Sequence, residues 1–114
     1  MFAKTIIHVI PGILIALSIA SAGMNNGEEH KELSGGSRGE VAFPHRMHQE
    51  NLGDCNICHA IFPQIPGSIE DLKANGKIEK KQVMNKLCIK CHKDEKRAGN
   101  KSGPTTCSKC HVKQ

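Results

Sequence analysis

Tryptophan and tyrosine are absent from this chain, and phenylalanine occurs three times in 114 residues. A domain that builds its own core leans on large aromatic side chains, and this one has almost none to bury. Other apolar residues are scarce where they matter. Of the 43 that make up the 38% hydrophobic content, 15 fall in residues 1–22, and six of the remaining 28 are cysteines. The other 22, spread over 92 positions, are too few to offset the conformational entropy of ordering that much chain. Length and composition together exclude a large multi-domain enzyme. They leave either disorder or a small domain whose core is supplied by disulfides, a metal or a cofactor.

The apolar residues at the start have their own explanation. Lys4 precedes an apolar run from Ile6 to Ala20, broken by His8, Pro11, Gly12 and Ser18 and followed by Ala20-Ser21-Ala22. A short basic lead, an apolar stretch and a small-x-small site make a secretory signal, with cleavage expected after Ala22. The run falls short of the ~20 residues needed to cross a bilayer, and Pro11-Gly12 weakens it further, so no stable membrane insertion is expected after cleavage. Residues 23–39 are polar and glycine-rich and read as a flexible leader. The working domain is then residues 40–114, in a periplasmic setting.

What the chain does have is cysteine in one repeated pattern: Cys55-Asn-Ile-Cys58-His59, Cys88-Ile-Lys-Cys91-His92 and Cys107-Ser-Lys-Cys110-His111. C-x-x-C-H is the attachment signature of c-type haem. Two thiols three positions apart lie on one side of a helical turn, where they can form thioethers to the two vinyl groups of one porphyrin. The adjacent histidine then binds the iron. A zinc ribbon needs two C-x-x-C pairs per site, leaving one of three unmatched, and gives no reason for the histidines. A disulfide framework suits an exported chain but does not explain them either. Export favours haem as well, because covalent attachment takes place after translocation.

Three haems present six axial positions, of which His59, His92 and His111 fill three. His45 and His48 are the best candidates for two more. Pro44 can occupy a first helical position, and residues three apart share a helix face at ~5–6 Å between Cβ atoms. One short helix can therefore offer an imidazole to each of two neighbouring haems. His30 lies among charged residues of the leader and reads as a solvated surface group. For the last position Met84, four residues before Cys88, is the leading soft donor, because a thioether serves as an axial ligand in His/Met cytochromes. Met47 lies between the two histidines on another side of their turn, Met24 is in the leader, and His30 or an open iron are the remaining alternatives.

Phe43-Pro44-His45-Arg46-Met47-His48 followed by three C-x-x-C-H motifs, the last near the C-terminus, resembles the triheme class III cytochromes, the cytochrome c-seven group related to tetrahaem cytochrome c-three. The resemblance covers about Gly39 to His111. It implies a small, mainly α, haem-packed fold with a short N-terminal strand pair and little regular secondary structure, to which Val41–Phe43 can contribute a strand. It further implies that His45 pairs with His59 and His48 with His92. Where the family has a histidine just before the second motif, this chain has Met84, which implies Met84/His111 coordination of the third haem. Residues 60–87 form a longer segment than in the smallest members. Its own pattern reads as two helical pieces, one with Ser68 as N-cap and Asn75-Gly76 as its end, the other from Ile78 to Cys88. Phe43 and Phe62 are expected to pack on haem edges.

Low-spin haems with both axial positions filled leave no site for substrate, so the expected role is electron transfer rather than bond chemistry. The alternative is a haem enzyme or sensor with an open iron at the haem of Cys107 and Cys110. The chain carries 16 basic against 11 acidic residues, a formal charge of +5. Twelve of the basic residues lie between Lys73 and Lys113. Export and the lack of any binding motif argue against nucleic acid. A monomer with lysines near exposed haem edges, docking on acidic surfaces of redox partners, is the expectation.

Overall fold

In the computed structural model, which describes residues 26–113, the chain runs through three short strands and five short α-helices. The signal segment, its cleavage site and Met24 lie outside the described residues. Strands β1 (Lys31–Leu33), β2 (Glu40–Phe43) and β3 (His111–Val112) form one antiparallel sheet in the order β1-β2-β3. Lys31 pairs with Phe43, Leu33 with Val41, and Val41 in turn with His111. Exposure alternates along β1 and β2, so that Leu33, Val41 and Phe43 are the half-buried positions while Glu32, Glu40 and Ala42 face out. Gly39 has φ +95°, and a Cβ there would run into the Val112 carbonyl, so only glycine lets β3 come this close.

The expected strand at Val41–Phe43 is present, but its partner comes from the segment read as a flexible leader. Three residues are too few for a period-two pattern to register. Residues 26–30 are held as well. Glu29 accepts a hydrogen bond from the Arg46 backbone N–H at 3.1 Å, and the Gln49 amide donates to the Asn26 carbonyl at 2.7 Å. Strand pairing and backbone hydrogen bonds therefore extend into residues before Glu40. The third strand, from the histidine of the last motif, had no sequence signal.

Helix α1 (His45–Leu52) follows directly on β2, with Pro44 as its N-cap residue, one position earlier than expected. Helix α2 (Asn56–His59) carries the end of the first motif, and its first N–H is received by the Asp54 carboxylate at 2.9 Å. Helix α3 (Ser68–Ala74) starts after Gly67, at φ +79°, and closes on Asn75, as the Asn-Gly pair predicts. Ser68 is not its cap. The hydroxyl instead turns inward and donates to the Pro63 carbonyl at 2.9 Å.

The second piece of the long segment also differs from expectation. Its start is marked by the Glu79 N–H donating to the Gln82 side-chain oxygen at 3.0 Å, half of a capping box. It then passes through a π-helical stretch, Val83–Ile89, into α4 (Lys90–Arg97), so the helix runs on through Cys88 and Cys91 instead of stopping at Cys88. Helix α5 (Cys107–Cys110) carries the last motif.

Among the described residues only Ile69 and Ser68 are buried, at 9% and 7% exposure. Met47, Ile57, Ile61 and Ile65 are exposed large apolar groups. The polypeptide makes nearly no core from its own side chains, as the composition requires. The architecture is the small, mainly helical one with little regular structure that the sequence implied.

Candidate cofactor-binding site

The three motifs adopt related local structures. In the first, Cys55 precedes α2 and Cys58-His59 end it. In the second, Cys88 lies in the π-helical stretch and Cys91-His92 in α4. In the third, Cys107 and Cys110 bound α5, and His111 turns to φ −97°, ψ 120° to enter β3. A helical turn thus sets each pair of thiols on one side, the arrangement that two vinyl groups of one porphyrin require.

The thiols of the three motifs also approach one another. Burial first, and then the nearby charges of Cys91 and Cys55, push the Cys58 thiol up from its ordinary value. Cys88 is pushed up to about 11, by burial and then by Cys58, with smaller effects from Cys110 and Cys91. Burial, with Cys107, raises Cys110. The thiols of the second motif therefore lie within electrostatic reach of the first, and Cys88 also of the third. All six are free, and among the described residues no group of three or more His, Cys, Asp or Glu side chains stands together to hold a bare metal ion.

The histidines carry the most specific geometry. His45 Nδ1 donates to the Glu28 carbonyl at 2.9 Å, His48 to Pro44 at 2.9 Å and His59 to Phe62 at 3.1 Å. His92 donates to Pro104 at 2.7 Å and His111 to Gly39 at 3.2 Å. A carbonyl can only accept, so in all five rings Nδ1 is the donor, the second-shell hydrogen bond that orients a metal-ligating imidazole to present Nε2. His30 differs: it is 75% exposed, with Nε2 3.6 Å from the Glu29 carboxylate. Its reading as a surface group agrees with that position.

Four of the five rings face one another in pairs. The ring centres of His45 and His59 are 6.3 Å apart with planes at 87°, and those of His48 and His92 are 6.1 Å apart at 35°. An imidazole nitrogen binds a metal ion at about 2 Å, and the ring centre lies roughly 1 Å behind it, so trans imidazoles on one ion have centres about 6 Å apart. Each pair thus leaves room for one iron, and the residues present fit haem. Phe43 packs against His48 at 4.4 Å and Phe62 against His59 at 5.2 Å between ring centres. The aromatic residues expected at haem edges therefore lie beside the candidate axial ligands. Met84 is half-buried in the π-helical stretch, whereas Met47 is 55% exposed.

Sequence reasoning missed the acceptors of these rings. Backbone carbonyls at Glu28, Pro44, Phe62, Pro104 and Gly39 orient the imidazoles, and no side-chain pattern marks a carbonyl. The Gly103-Pro104 pair just ahead of the third motif was the one available signal.

Comparison with known proteins points the same way. Residues 41–112 match the family described as cytochrome c7 and related cytochrome c. The chain is 34% identical over 99 residues to a cytochrome c7 of Geobacter metallireducens, covering 87% of this chain and 92% of that one. It is 36% identical over 76 residues to a cytochrome c3 of Desulfuromonas acetoxidans, covering 67% and 87% respectively. Among solved structures, PpcC, a cytochrome c7 from Geobacter sulfurreducens, superimposes with a TM-score of 0.52 at 30% identity, over 76% of this chain and all of that one. The solution structure of the triheme cytochrome PpcA from the same organism gives 0.52 at 32% identity, over 75% of this chain and all of that one. The chain belongs to the cytochrome c7 family, electron carriers rather than enzymes, which hold haem c covalently.

Proposed function

We propose that this chain is a periplasmic triheme electron carrier, with haem c held at Cys55/Cys58, Cys88/Cys91 and Cys107/Cys110. The observation that carries the reading is the pairing of imidazoles: His45 beside His59 and His48 beside His92, with ring centres 6.3 and 6.1 Å apart, a separation that would admit one iron between each pair. His111 would hold the iron of the third site through its imidazole, and Met84 is the thioether that would complete its coordination. A π-helix has about 4.4 residues per turn, which brings positions four apart, Met84 and Cys88, onto one side.

Bound at these residues, the iron supplies reversible ferric–ferrous exchange, up to three electrons per chain. The chain's own residues fix the imidazoles, hold the porphyrins by two tethers each and, with ligands on both sides, keep substrates off the metal. Periplasmic placement rests on the signal-like residues 1–22 and on the chemistry of haem attachment. The excess of lysine between Lys73 and Lys113 suits a monomer that docks on acidic surfaces of redox partners.

Replacing an imidazole by a thioether favours the ferrous form and raises the potential. Haem-resolved redox titration tests the assignment. The expected result is three one-electron steps with the haem at Cys107/Cys110 highest; three indistinguishable bis-histidine haems would sink the Met84 ligand.

A further inference from the structure

Most glycines of this chain are turn residues. Gly76, for example, has φ +65° and nothing within 4 Å of where a Cβ would lie. Gly103 is of another kind. It does not adopt the left-handed conformation, yet a Cβ added there would stand 2.7 Å from His92 Nε2, 2.9 Å from Nδ1 and closer still to Cε1, distances that real Cβ atoms essentially never show. All three of its near contacts belong to one imidazole. The next residue, Pro104, receives the Nδ1–H of that imidazole at 2.7 Å, the shortest of the five ring hydrogen bonds. Pro104 has its own φ fixed by the pyrrolidine ring and restricts Gly103 to extended backbone. The dipeptide is therefore a stiff seat, with a bare Cα against the ring and a carbonyl on its edge.

We propose that Gly103 is a positioning residue for His92, and through it for the haem at Cys88/Cys91. The inference rests on the haem-ligand reading above. The missing side chain lets the ring lie in the one orientation that both meets Pro104 and faces His48 with planes at 35°. Ring orientation fixes the direction of the unpaired electron on a ferric low-spin haem, and the Nδ1–H bond sets how strongly the imidazole donates to iron. Gly35 offers a parallel seat, since a Cβ there would strike His111 Nδ1 and stand 2.8 Å from its Cε1. That position is also closed by the Gly39 carbonyl, which makes Gly103 the cleaner case.

The test compares wild-type holoprotein with Gly103→Ala and Gly76→Ala, after haem has been counted on each by pyridine haemochrome. The readout is the set of haem methyl resonances of the ferric protein, which report the planes of the axial ligands one haem at a time. In Gly103→Ala the methyls of the Cys88/Cys91 haem shift, its potential rises as the Pro104 hydrogen bond loosens, and the other two haems keep their patterns. Gly76→Ala changes none of the three. Methyl patterns identical to wild type in Gly103→Ala, or equal shifts at all three haems, would overturn the positioning role. Should Gly103→Ala fail to mature, the reduced wild-type protein still decides. Cross-relaxation between the Gly103 α-protons and His92 Hε1 supports the seat, and its absence overturns it. A wild-type chain with fewer than three haems overturns the functional reading instead.

Discussion

Met84 is the residue that separates this chain from the pattern it resembles, and it can be put back. In Met84→His an imidazole returns to the third site, and the potential of the haem at Cys107/Cys110 is expected to fall while the other two move little. In Met84→Ala that iron loses its distal ligand, and the reduced protein is expected to bind carbon monoxide at one haem per chain. Wild type is expected to bind none on the same timescale. Titration followed by haem-resolved spectra checks the first variant, and stoichiometric gas binding checks the second. At this scale the sequence was highly legible. The cysteines and their adjacent histidines stand out by spacing, and the structure sets His45 beside His59 and His48 beside His92, the pairs the resemblance implies. The acceptors of the ring protons were not legible, because the carbonyl that orients His111 belongs to Gly39, 72 residues earlier, and every residue has a carbonyl.

Elements are where the sequence was least informative, and the reason is length. A strand of two or three residues, such as β3 or β1, has no periodicity to read, and its existence depends on a neighbour brought up by tertiary contact. The π-helical stretch was also unreadable, since its residues suit an ordinary helix equally well. The Asn-Gly end of α3 was legible because glycine there meets a conformational demand. Gly67, at φ +79° before α3, meets another. Gly67→Ala is expected to destabilise the fold by about 1–2 kcal/mol, measured as a lowered denaturant midpoint of the holoprotein. Helix α4 offers a test by pH. Asp94 accepts hydrogen bonds from Lys90 at 2.6 Å and from Arg97 at 3.1 Å, and these hold its carboxyl below the usual aspartate range, the Lys90 bond most strongly. Because the folded-state value is lowered, the stabilisation is complete above the ordinary aspartate pKa and is lost as pH falls through the lowered one. Wild type and Asp94→Asn should therefore differ slightly in midpoint near neutral pH and converge in acid. A difference that grows in acid would contradict the assignment.

The whole molecule returns to the missing aromatic residues. A chain whose only buried apolar side chain among the described residues is Ile69 cannot hold its shape by its own burial. On the proposed reading, three porphyrins tethered at six cysteines would supply the apolar surface that the sequence withholds. Cys88→Ser with Cys91→Ser removes the tethers of the second motif, and is expected to cost ordered structure throughout the chain, seen as lost helical circular dichroism. The excess of basic residues, 15 against 11 once residues 1–22 with Lys4 are removed, bears on partners at this scale. Electron transfer to an acidic redox partner is expected to slow as ionic strength rises, because screening shortens the reach of the lysine field. A rate independent of salt would remove charge from the account of docking.

The central claim is a count. Purified after export in a host that attaches haem c, the protein is expected to give a pyridine haemochrome of three haems per chain. Its mass should be that of the polypeptide from about Gly23 plus three covalently bound porphyrins. A colourless chain, or one carrying zinc or disulfides at the same cysteines, would contradict it.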